Sequence, residues 1–207
     1  MNNVESLAAV AGIFKLGGKT FGKIGNGRST GTKLISLDGY FNNPGLYEVD
    51  MATPMDFIIN EIGGGFNEDI KAIQVGGPLG GIVPLNMLHN LTLDFETFDE
   101  EGFLLGHASF VCLPRAFSAV EYAKHLFAFT AHESCGKCFP CRRGSTRGKE
   151  MLHSAIKENQ KFSEELMHDL LETMEAGSLC ALGGGLPLPI KNLLEHCADE
   201  FAALMEK

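Results

Sequence analysis

Three of the six cysteines, Cys135, Cys138 and Cys141, fall in the spacing C-x-x-C-x-x-C, while Cys112, Cys180 and Cys197 stand apart. A disulfide framework spreads its cysteines through a short secreted chain, which is not the pattern here. Zinc sites gather four ligands as two separated pairs, whereas three thiols at two-residue gaps form one concave arc that can hold three corners of an iron–sulfur cube. A fourth thiolate must then come from elsewhere. Cys180, in SLCALGGG, is the best placed, because glycines directly after it let the backbone approach a bulky group. Cys112, in the strand-like run SFVCL, and Cys197, on the apolar side of a final helix, read as small buried hydrophobes. The expected site is one 4Fe-4S cluster on Cys135, Cys138, Cys141 and Cys180, with structural zinc as the alternative.

Four thiolates leave such a site negative, and an added electron makes it more so. Lys137, Arg142, Arg143 and Arg147 surround the arc, and the helix opening after Cys141 is expected to aim its first amides at the cluster. With every corner held by cysteine, no iron is open to substrate, so the chemistry is one-electron relay rather than Lewis-acid catalysis. His132 and His153 flank the region but read as polar surface residues. Neither a Ser/His/Asp set nor a carboxylate pair stands out.

Composition narrows the class further. Among 207 residues, 44% are hydrophobic, enough for one or two packed domains, and the net charge of −9 has the wrong sign for a nucleic-acid partner. No apolar stretch reaches the roughly 18 residues of a spanning helix, and MNNVESLAAVAGIF lacks the order of a secretion signal, so direct membrane insertion is not expected and the location is read as cytoplasmic.

The elements that must carry the cysteines fall into two textures. Ser6 to Leu16 has a helical apolar pattern stopped by Gly17 and Gly18. GTKLISLDGY and LYEV read as strands joined around Asn43-Pro44-Gly45, followed by a helix from Pro54 capped by Thr53, then the strand IKAIQV. The glycine run at Gly76 to Pro84 lacks a Walker lysine and dinucleotide spacing, and reads as a tight turn. After Pro114 the pattern is helical: SAVEYAKHLFAFTAHE, GSTRGKEMLHSAIKE, SEELMHDLLETMEAG, and a last helix from Pro187 or Pro189 through Leu204. The fold class is α+β, a small β-grasp-like domain followed by a four-helix bundle. Expected divisions are an N-terminal helical segment 1–30, a β-grasp domain 31–84, a connecting segment 85–113 and a helical domain 114–207. In an up-and-down bundle, the arc between the first two helices and Cys180 between the last two meet at one end.

These residues also carry a resemblance. ESCGKCFPCRRG, Glu133 to Gly144, resembles the signature E-S-C-G-x-C-x-P-C-R-x-G of the flavin-containing, NADH-binding subunit of respiratory complex I and of the related beta subunits of NAD-linked hydrogenases and formate dehydrogenases. SLCALGG at Ser178 to Gly184 resembles the family's fourth-ligand loop, and GTKLISLDGYFNNPGLYEV through IQVGGPLGGIVP resembles its soluble-ligand-binding β-grasp (SLBB) module. The resemblance covers nearly the whole chain but only the second half of the family's subunit. The flavin- and NADH-binding half has no counterpart, so FMN and NADH are expected only if a partner chain supplies or completes their site. NNVESLA resembles the family's V-N-N-V-E-T-L-A, which implies Asn2 and Asn3 as remnant flavin contacts. GHASFVCLPR, Gly106 to Arg115, departs from the family's strand ending in Met-Asp-Glu.

The resemblance implies an electron-transfer subunit of a larger NAD(P)H-linked oxidoreductase, partnered by other flavin or iron–sulfur subunits and not catalytic alone. The competing reading is a non-redox assembly or docking module whose metal only staples the helices.

Overall fold

The computed structural model describes residues 1–206 and divides into two compact units, residues 1–77 with 83–114, and residues 78–82 with 115–206. No helix among the described residues is long and apolar enough to cross a membrane.

The first unit opens with helices α1 (Val4–Leu16) and α2 (Gly18–Phe21), then a small ribbon of β1 (Gly25–Asn26) and β2 (Ser29–Thr30). Next come β3 (Thr32–Leu37), β4 (Gly45–Asp50), the helical turn α3 (Met55–Phe57) running into a wider turn to Ile62, β5 (Ile70–Val75), β6 (Ile82–Pro84), α4 (Phe95–Glu100) and β7 (Ser109–Pro114). The main sheet has the order β4-β3-β7-β5-β6. β3 and β4 form the antiparallel hairpin read around Pro44, while β7 lies parallel to β3 and antiparallel to β5. The segment 85–113 thus supplies most of the sheet's middle strand. Ile35, Leu37, Ile73, Val75 and Phe110 are buried in its core, as period-two alternation in β3 requires. Gly76, at φ +90, lets its backbone meet that of Leu105 and Gly106, where any Cβ would lie 2.5 Å from the Leu105 carbonyl oxygen. Close packing of this kind accounts for the start of the glycine run. Thr53 does not cap α3: its hydroxyl donates to the Asp50 carbonyl, and Pro54 takes the cap position.

No residue of α1 is buried, and Val4, Leu7 and Phe14 are exposed, so apolar packing does not hold this helix. A carboxylate does. Glu5 accepts from the Leu34 amide at 2.9 Å and pairs with Lys33, the one lysine whose side chain lies on the buried face of β3. Burial raises the Glu5 carboxyl, but the Lys33 and Leu34 hydrogen bonds and the charges of Lys33 and His107 outweigh it and leave it below its ordinary value. A depressed carboxyl contributes stability above its unfolded value, about 4.3, and loses it as the pH falls through the folded value. Acidification below about pH 4 is therefore expected to loosen α1, and Glu5→Gln to loosen it at neutral pH, as faster amide hydrogen exchange in residues 4–16 with little change in strands β5 and β7.

The second unit contains α5 (Ala119–Glu133), α6 (Phe139–Lys157), β8 (Phe162–Ser163), α7 (Glu164–Gly177), α8 (Ala181–Gly185), α9 (Pro187–His196), α10 (Ala198–Ala202) and β9 (Met205–Glu206). Helix α6 packs between α5 and α7, and α9 touches both of those. Glycines make the approach close: a Cβ on Gly148 would sit 2.2 Å from the buried Phe127 ring, and one on Gly144 would sit 2.6 Å from Met174. Ser118 and Ser163 cap α5 and α7 by accepting from the Glu121 and Leu166 amides. β8 and β9 pair in parallel. Residues 78–82 belong to this unit, where the Ile82 amide donates to Asn192 Oδ1 at 3.1 Å in a buried setting.

Two expectations for these helices need correction. The last helix is not continuous: Cys197, at φ −121 and ψ 30, breaks it between α9 and α10. The break accompanies a bond from the Ala119 amide to Glu200, 2.7 Å, which satisfies the first turn of α5. Cys197 is consequently half-buried rather than buried. The second helix opens at Phe139, before Cys141 rather than after it, because Pro140 fits a first helical turn and Cys138 is extended.

Candidate metal centre

The arc starts where α5 ends. Ser134 is extended, Gly136 takes φ +74 to turn the chain, and Cys138 occupies the cap of α6. Arg142, one turn into α6, reaches back to donate to the Gly136 carbonyl at 2.6 Å and fixes the turn. Cys141 lies in the first turn of α6 and is buried, whereas Cys138 is half-buried and Cys135 exposed. Ser145 donates to the Cys141 carbonyl at 2.6 Å, and Ser134 Oγ lies 3.3 Å from Cys141 Sγ. Early opening of α6 brings the Cys138 and Cys141 amides onto the Cys138 sulfur, where they favour its negative form.

The segment carrying Cys180 meets the arc at three places. A Cβ on Gly177 would lie 2.9 Å from Pro140 Cγ, the Leu179 amide donates to the Cys138 sulfur, and Gly183 rests on Cys141. Gly183 is the tightest point. An added Cβ would lie 2.5 Å from Cys141 Cβ, 2.5 Å from Ser178 Oγ and 2.9 Å from Cys141 Sγ. Cys180 itself is exposed at the cap of α8, whose residues include the glycines that follow it. The Cys138 thiol is held below its ordinary pKa, chiefly by the Leu179 amide; desolvation opposes this, and the Cys141 and Cys138 amides and the Cys141 thiol assist.

The structure therefore brings Cys138, Cys141 and the Cys180 segment together, while the Cys135 and Cys180 side chains are exposed. Among the described residues, no three His, Cys, Asp or Glu side chains are gathered as a site for a single metal ion. Cys112 belongs to β7, where its amide donates to Asp38 at 2.7 Å; burial and then the Asp38 carboxylate drive its thiol strongly upward, so it is not a ligand candidate. Lys137, Arg142, Arg143 and Arg147 are exposed, and Arg147 faces Glu150 at 3.8 Å. His132 is exposed beside Glu133, and His153 is exposed on α6. Asn3 caps α1 by accepting from the Glu5 amide at 2.8 Å, and Asn2 is exposed.

Residues 121–204 match the NADH-ubiquinone oxidoreductase-F iron–sulfur binding region. Over 209 residues the chain is 31% identical to the mitochondrial 51 kDa subunit of NADH-ubiquinone oxidoreductase from Neurospora crassa, covering 99% of this chain and 42% of that protein. It is 34% identical over 206 residues to the NADP-reducing hydrogenase subunit HndC of Solidesulfovibrio fructosivorans, covering 98% of this chain and 42% of that one. A crystal structure of an NAD+-reducing [NiFe]-hydrogenase in the H2-reduced state superposes on 99% of this chain and 35% of its own at a TM-score of 0.86 and 28% identity. The chain thus spans less than half the length of these relatives and corresponds to their C-terminal portion. The matched region is a 4Fe-4S one, and the residues present suit that group: unbridged cysteine thiols on both loops, a glycine seat at Cys141 and exposed cations along the arc and the start of α6.

Ser134 and Ser178 escape a reading of the sequence alone. The signal is there, since each stands within two residues of a ligand candidate. Gly183→Ala is expected to force the two loops apart, costing roughly 1–3 kcal/mol and lowering iron content after reconstitution. Gly184→Ala should keep both, because its Cβ would meet nothing closer than 3.6 Å. Denaturant midpoints and iron analysis of the pair check this.

Proposed function

We propose that this chain is an electron-transfer subunit of a larger NAD(P)H-linked oxidoreductase and that Cys135, Cys138, Cys141 and Cys180 hold its single 4Fe-4S cluster. The observation that supports this most is the seating of Gly183 on Cys141, which brings a C-x-x-C-x-x-C arc and a fourth cysteine's loop to one place. When bound, the cluster supplies reversible one-electron transfer.

The chain's own residues do the rest. The Leu179 amide and the opening turn of α6 offset thiolate charge, and the Arg142 bond to Gly136 keeps the arc in shape. Phe139 and Leu179, 66% and 71% exposed beside the cysteines, with Arg142 and Arg143 around them, provide an apolar, cation-rimmed face for a redox partner. NADH and FMN enter this reading through residues outside these 207. Asn2 and Asn3, exposed at the start of α1, are the places where a flavin completed by a partner would meet this chain.

Oxygen-protected protein is expected to contain about four iron and four sulfide per chain, absorb broadly near ~400 nm, and bleach with dithionite to a spin-half EPR signal. Cys135→Ala, Cys138→Ala, Cys141→Ala and Cys180→Ala should each lose or convert that signal, while Cys112→Ala and Cys197→Ala retain it. A colourless protein with one zinc per chain would replace this reading with the structural-metal one, and an unchanged spectrum in Cys180→Ala would remove the fourth ligand.

A further inference from the structure

Ser178 Oγ is shielded from solvent and has no hydrogen-bond partner among the described residues. A buried hydroxyl left in that state is costly, so its location carries information. It lies over Gly183 in the same small space as Cys141 Sγ, on the loop that brings Cys180. A second hydroxyl reaches that sulfur from the arc. Ser134 Oγ accepts from the Gly136 amide at 3.2 Å and lies 3.3 Å from Cys141 Sγ. Once Cys141 is a thiolate it can only accept, so the hydroxyl proton of Ser134 must point at sulfur. Ser145, also close and fully buried, differs: its hydroxyl donates to the Cys141 carbonyl and is not available to the sulfur.

We infer that Ser134 and Ser178, one from each loop, are positioning residues that donate hydrogen bonds to sulfur of the bound cluster, at Cys141 and beside it, and so raise its reduction potential. The inference rests on the cluster assignment above. Its physical basis is that a donor aimed at sulfur stabilises the more negative, reduced state more than the oxidised one. The orphaned hydroxyl of Ser178 is then a polar group waiting for an acceptor that the protein atoms do not provide. Each loop brings its own donor, so the potential depends on both loops being in place.

The test is an EPR-monitored redox titration of the reconstituted full chain and of Ser134→Ala, Ser178→Ala, the double variant and Ser145→Ala. At fixed ambient potential, each of the first two is expected to lower the reduced-to-oxidised ratio several-fold and up to about tenfold, the latter being ~59 mV for one electron. The double variant should fall further, and Ser145→Ala should match the parent. Exchangeable-proton couplings, read by electron–nuclear double resonance in ordinary and heavy water, should be present in the parent and weaker in each of the two single variants. Unchanged midpoints in Ser134→Ala and Ser178→Ala with intact clusters would overturn the inference. If either variant fails to take up iron, the parent's couplings decide alone, and their absence overturns it. A parent that binds no iron sinks the cluster assignment instead, which separates the two failures.

Discussion

The second unit is organised around one steric requirement: the loop after α7 must lie flat on the first turn of α6. Gly177 against Pro140, the Leu179 amide on Cys138 and Gly183 against Cys141 are three expressions of it, spaced along seven residues of chain. Because protein interiors are close-packed and stiff, contacts shorter than an added methyl could tolerate fix one loop relative to the other. The helices follow from this. Gly144 and Gly148 let α6 sit close to α7 and α5, so the platform bearing Cys141 is held from both sides.

Charge is managed by short-range means. The chain is acidic overall, yet the Cys138 sulfur lies where backbone amides meet it, from the opening of α6 and from Leu179. Oriented amides are useful here because they carry no mobile counter-ion and need no reorganisation when an electron arrives. The exposed arginines add a more distant field that salt weakens. Ser134 and Ser178 extend the amide arrangement with side chains.

Much of this is legible in the sequence, and the exceptions have physical causes. The cysteine spacing marks the arc, and the glycines after Cys180 mark a close approach. Alternation in β3 and the Pro44-Gly45 turn mark the hairpin. Sequence pattern places the start of α6 too late because Pro140 and two cysteines look like loop, although proline suits a first helical turn. The break at Cys197 is invisible there because apolar spacing continues through it; the backbone turns out of the helix at Cys197, and beyond it Glu200 accepts from the distant Ala119 amide. The attachment of α1 is hidden for a related reason. Apolar periodicity suggests a packed helix, whereas one carboxylate meets a buried lysine and Val4, Leu7, Val10 and Phe14 stay exposed.

The chain leaves the first unit after Gly77, contributes five residues to the second, and returns at Val83. A fragment cut cleanly at Arg115 would therefore omit a piece of the helical body, including the amide that Asn192 accepts from within its interior. The two halves are interleaved along the polypeptide and cannot be exchanged as cassettes. Recombination that swapped one of them for a homologous block would have to carry a short insert from the middle of the other.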